Sequence, residues 1–162
     1  MIKKLTLLTI LISTAVIAPT VTVKEFTAQI KNQIISNKPD IDTKYADRIA
    51  VNIYKLSLKH GIPSDLYAAI LMQESKYDLK AKNNRTKDYG IAQINWRTIK
   101  HYKFNKNRLM TDLAYSLEAG AIVLKDFMVR YSNEITWWSR YNSSKIKCRR
   151  NYASRVKRYL NV

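Results

Sequence analysis

The chain has 162 residues, a length that suits one domain able to bury a core without disulfides or metals. Lys and Arg number 29 against 12 Asp and Glu, a formal charge of +17, which is too one-sided for ordinary solubilising charge and points to a polyanionic partner. Cys148 is the only cysteine, so an intramolecular disulfide is excluded, and His60 and His101 lack metal-ligand spacing, so no metal or cofactor is expected.

Lys3 and Lys4 precede a charge-free stretch from Leu5 to Val23, most apolar over Leu5–Ala18. A basic start, a short apolar run and small residues after it read as an export signal, with Ser13-Thr14-Ala15 as a cleavage motif. The stretch is marginally long enough to anchor in a bilayer. Pro19 and the Ser and Thr residues favour a cleaved signal over residues 1–23. Export turns the expected polyanion away from nucleic acid and towards an anionic envelope surface. Residues 24–42 are polar, carry Pro39-Asp40 and read as a linker or a partly helical N-terminal arm. The domain is expected over residues 43–162.

Three glycines and three prolines are too few for a turn-rich β fold. Asp42 or Thr43 can cap a helix reaching about Lys59, with Tyr45, Ile49, Ile53 and Leu56 as its stripe and Gly61 as its stop. Pro63-Ser64 opens a second helix, with Ser64 as cap. Its residues Leu66 to Met72 are all apolar, and only Gln73 separates them from Glu74. Between Tyr77 and Ile94 the period is lost, and an irregular or β-like lobe is expected near residues 80–95. A short helix over Trp96–Tyr102 follows, then a long one over Asp112–Tyr131 capped by Thr111. Gly120 lies inside that helix, where it costs about 1 kcal/mol relative to Ala, so close helix packing is its best explanation. Two further helices are expected over Glu134–Arg140 and Arg149–Leu160. The fold class is mainly α.

Glu74 carries the strongest chemical signal. A carboxyl on a helix that is apolar nearly all round is costly to ionise, so its pKa rises and it keeps its proton near neutral pH. Such a group can act as a general acid.

Glu74-Ser75, Asp88-Tyr89-Gly90-Ile91-Ala92-Gln93-Ile94-Asn95, Leu117-Glu118-Ala119-Gly120-Ala121 and Tyr141-Asn142 occur in that order. This set resembles the catalytic domain of soluble lytic transglycosylases, in the lysozyme-like superfamily, over about Ala46 to Leu160. It is similar to the small envelope-penetrating enzymes of secretion systems, conjugation systems and phages. The resemblance implies a lysozyme-like globule acting on peptidoglycan glycan strands, with Glu74 as acid/base and Ser75 supporting it. It places Tyr89, Gly90, Gln93 and Asn95 on a segment lining the sugar groove. Glu118 and Gly120 match a packed helix motif facing the site, and Tyr141-Asn142 a pair whose tyrosine sits close to the acid. The implied reaction protonates the glycosidic oxygen and closes a 1,6-anhydro ring on the muramyl sugar without consuming water.

The chain departs from the family pattern in two places. Gly90-Ile91-Ala92-Gln93 stands where Gly-Leu-Met-Gln is common, and Ser143-Ser144 replaces the usual small residues after Tyr-Asn. Asp88 also fits the second carboxylate of animal-type lysozymes, which would allow hydrolysis by two carboxylates. The residues also leave open a murein-binding module without turnover and a cationic membrane-disrupting protein. Tyr89, Trp96, Tyr102, Trp137, Trp138 and Tyr141 cluster near the motifs and can stack on sugar rings; adjacent Trp137 and Trp138 should face different ways. The basic segment Lys145–Lys157 can attract an anionic envelope surface.

Overall fold

A computed structural model describes residues 22–160 of the chain. The expected signal or anchor falls almost wholly on residues 1–21, outside the described residues. Among the described residues no helix is long and apolar enough to cross a membrane.

The described chain runs α1 (Val23–Asn37), α2 (Thr43–His60), α3 (Ser64–Ser75), β1 (Lys82–Asn83), β2 (Asp88–Tyr89), β3 (Ile94–Asn95), α4 (Trp96–Tyr102), α5 (Lys106–Thr111), α6 (Leu113–Arg130), a 3₁₀ turn (Trp137–Tyr141) and α7 (Ile146–Leu160). The fold is mainly α with a small β lobe, as expected from the sparse glycine and proline. The three strands pair antiparallel in the order β1-β2-β3, with Asn83 opposite Asp88 and Asp88 opposite Asn95.

α3 is the core helix. Leu66 to Met72 are all buried, so every side of the helix meets protein. α1, α2 and α7 pack around it, and α6 packs against α2. α2 begins where the Asp42 carboxylate accepts a hydrogen bond from the Tyr45 N–H at 2.8 Å. It ends at Gly61, whose left-handed backbone (φ 68°) closes the last turn.

Several boundaries differ from the sequence expectation. Most of residues 24–42, read as a linker or a partly helical arm, belongs to α1 (Val23–Asn37), which is no loose arm but buries Ile30 and Ile34 in the core. The Gln33 side-chain amide donates to the carbonyls of Asp65 (2.9 Å) and Tyr159 (3.1 Å), tying α1 to the start of α3 and the end of α7. Two apolar residues one turn apart suffice to seat a helix whose other faces are polar. Ser64 is the first residue of α3 rather than its cap, and Pro63 precedes it without a side-chain bond. Thr111 closes α5, with its hydroxyl donating to Asn107 O at 2.9 Å. Asp112 caps α6 instead, accepting from Tyr115 N at 3.1 Å. Glu134–Arg140 forms only a 3₁₀ turn at its end, and α7 starts three residues earlier than expected.

Candidate active site

The chain turns sharply straight after the acid. Lys76 and Tyr77 both take positive φ (53° and 62°), so α3 ends one residue past Glu74 and the backbone folds back into the β lobe. The Ser75 hydroxyl donates to Ile91 O at 2.7 Å and lies 3.3 Å from Leu71 O. It therefore stitches the end of α3 to the segment 90–93. The Gln93 side-chain amide holds the same segment by donating to Gly90 O (3.0 Å) and Ala81 O (3.1 Å). From the far side, the Tyr141 hydroxyl donates to Ala92 O at 2.6 Å.

Gly90 explains itself at this loop. Its φ is +77°, and an added Cβ would stand 2.1 Å from Leu109 O. Only glycine fits both the backbone angle and the contact. Gly120 answers to packing: a Cβ there would meet the Tyr67 hydroxyl at 2.6 Å and Ala92 Cβ at 2.8 Å. α6 thus presses on both the core helix and the loop, the close approach its sequence position suggested.

These elements frame a groove of about 320 Å³. Glu74 lines it together with Asp88, Gln93, Asn95, Tyr141 and Asn142. Thr98 from α4 and Val123 and Phe127 from α6 also line it. Glu74 is half-buried where it reaches the groove, with protein packed closely around its carboxyl. Burial pushes its pKa up from 4.5 to about 7; a hydrogen bond from Tyr152 opposes the rise, and the negative charge of Asp88 adds to it. Asp88 lies on β2. One of its oxygens accepts from the Asn95 side-chain amide at 2.7 Å, and the other takes the Thr86 hydroxyl. Its oxygens thereby tie together the ends of the β2–β3 lobe. Asn95 uses its own oxygen to cap α4, accepting from Arg97 N at 3.1 Å.

The chain matches the Transglycosylase SLT domain family over residues 52–159. It belongs to that family. It is also similar to protein IpgF of Shigella sonnei and of Shigella flexneri, each 31% identical over 119 residues. Each of these matches spans 67% of this chain and 78% of the relative. No solved structure matches the chain significantly. As an SLT transglycosylase the protein is a peptidoglycan lytic transglycosylase.

The SLT groove gathers six of the ten site residues picked from sequence: Glu74, Asp88, Gln93, Asn95, Tyr141 and Asn142. Ser75 and Gly90 lie behind the groove and shape its loop. Tyr89 is buried beside them, with the Lys106 ammonium 5.2 Å from its ring. Glu118 is not brought to the groove. Its Oε1 accepts from Lys59 Nζ at 2.7 Å and lies 2.9 Å from His60 Nε2, on the α2 side of α6. Burial would raise its pKa, but the hydrogen bonds from Lys59 and His60 outweigh that and hold it low. Two positions along a helix turn a side chain through about 200°, so Glu118 and Gly120 of the same motif face different ways, and a motif match does not say which face is which.

Tyr152 is the functional neighbour that sequence reasoning missed. Its hydroxyl donates to Glu74 Oε1 at 2.5 Å. Burial, then the charge of Glu74, raises the Tyr152 pKa well above 10, so it stays a donor. The available signal was its position four residues before Val156 on the buried face of α7. The basic residues around it drew attention instead. Of the tryptophans, Trp138 is buried against Tyr152 and Trp137 is partly exposed, so the pair does face different ways. Trp96 is covered by the ammonium of Lys100 at 4.4 Å.

Proposed function

We propose that Glu74 alone serves as acid and then base in cleaving the β-1,4 bond between N-acetylmuramic acid and N-acetylglucosamine. The observation that carries this reading is the half-buried Glu74 carboxyl, its pKa raised to about 7, in the wall of a groove of about 320 Å³. Protonated Glu74 gives its proton to the glycosidic oxygen as the bond to the muramyl anomeric carbon breaks. The 6-hydroxyl of the same sugar attacks that carbon, and its proton passes to the Glu74 carboxylate. The acid is regenerated, a 1,6-anhydro sugar leaves, and no water is consumed.

Tyr152 positions the carboxyl and moderates its pKa, while Tyr141, Ser75 and Gln93 hold the loop that shapes the groove. The engagement of both Asp88 oxygens by Asn95 and Thr86 supports a loop-fastening role for Asp88 over that of a second catalytic carboxylate. Residues 1–23 would export the chain to the periplasm and, if retained, tether it there. An exported enzyme of this size suits local opening of the wall for a secretion, conjugation or phage assembly.

The test is mass spectrometry of products from purified murein sacculi. The protein should release 1,6-anhydromuropeptides, and Glu74→Gln should abolish them. Reducing-end muramic acid as the main product would show a hydrolase instead.

A further inference from the structure

A second cavity, about 600 Å³ and larger than the catalytic groove, lies between residues 136–139 and the outer face of α7. Arg149, Arg150 and Lys157 line it, with Ile146 and Ala153 between them. Arg149 is engaged by Glu134 and by the Ser139 hydroxyl. Arg150 and Lys157 have no carboxylate partner among the described residues. Aliphatic side chains stand in water here too: Ile146, which lines the cavity, is 63% exposed, and Ile135, next in sequence to the lining residue Thr136, is 97% exposed.

Unpaired cations alone would suit any phosphate-bearing polymer, which gains nothing from isoleucines held in solvent. Cations flanking exposed aliphatic side chains suit a lipid interface, where the charges meet headgroup phosphates and the aliphatics enter the acyl boundary. We propose that this face of α7 docks on an anionic phospholipid surface. α7 separates the two functions. Tyr152 points to Glu74, whereas Ala153, about 100° further round the helix, lines the cavity. Lipid and glycan therefore occupy different faces, and docking leaves the groove open to the wall. The proposal does not depend on the cleavage chemistry.

The test is co-sedimentation of the full-length protein with phosphatidylcholine vesicles and with vesicles that also contain phosphatidylglycerol. Residues 1–23 are common to every variant, so their contribution cancels. Wild type should bind the phosphatidylglycerol vesicles more tightly. At roughly fivefold per cation, Arg150→Gln with Lys157→Gln should weaken that binding about 25-fold. Ile135→Ser with Ile146→Ser keeps every charge and should also weaken it several-fold. All variants should retain murein cleavage and the wild-type thermal midpoint; Ile135 is so exposed that its replacement alone serves as a variant that must fold. Wild-type binding by the isoleucine variants, together with competition by soluble polyphosphate, would show a phosphate-polymer site and overturn the proposal. Equal vesicle binding by all the variants would overturn it too.

Discussion

Replacing Tyr152 with Phe removes one hydroxyl and keeps the buried ring. The lost bond is the 2.5 Å donation to Glu74, and it favours the ionised carboxylate. A hydrogen bond to a charged group contributes about 1.5–3 kcal/mol, which is about 1–2 pH units at 1.36 kcal/mol per unit. The Glu74 pKa, about 7 in the native protein, should therefore move up in the variant. Because the reaction begins from protonated Glu74, activity should fall as pH rises through that pKa. The falling limb should move from about pH 7 to about pH 8–9. At pH 8 the wild type keeps only about a tenth of its Glu74 protonated, and the variant half or more. Lost orientation lowers the variant's rate at every pH, so the ratio of wild type to variant should be largest at about pH 6 and below and shrink by pH 8. The assay is the initial rate of anhydromuropeptide release from sacculi between pH 5 and 9 at constant ionic strength. A ratio that stays constant with pH, or a limb displaced to lower pH, would refute the assigned role and leave Tyr152 a packing residue.

Glu74→Gln should stabilise the fold while stopping cleavage. The native pKa lies above the unfolded value, so the penalty of burying the charge is absent below pH 4.5, grows through the window from 4.5 to about 7, and is complete above it. That shift corresponds to at most about 3–4 kcal/mol, reduced by water in the groove. Urea unfolding should show the variant more stable than wild type at pH 8 and equal to it at pH 4. Gly120→Ala should destabilise by about 1–3 kcal/mol despite the better helix propensity of alanine, because the new methyl meets Tyr67 and Ala92 in a packed core; thermal denaturation measures it, and an unchanged or higher midpoint would show that Tyr67 yields. Asp88→Asn should slow cleavage by loosening the bonds to Asn95 and Thr86, yet leave 1,6-anhydro products as the main species by mass spectrometry. A switch in product type would restore Asp88 to the chemistry.

The sequence by itself determined which helix is buried and where its acid stands. Seven consecutive apolar residues leave α3 no solvent face, and Glu74 follows them within a turn, so its raised pKa was legible before any coordinates. The left-handed stop at Gly61 and the span of α4 were also legible, because both depend on local residues. The ordered motifs pointed to the family, since spacing along the chain survives when contacts are unknown. Tertiary structure alone decided the partners. Glu74 receives its hydrogen bond from Tyr152, 78 residues away. Tyr141 serves the Ala92 carbonyl rather than the acid. Glu118 turns to Lys59 and His60, and α1 joins the core through Ile30 and Ile34. The physical reason is common to all four. Periodicity states which face of a helix avoids water, but the polar group that face will meet is chosen by how distant helices pack.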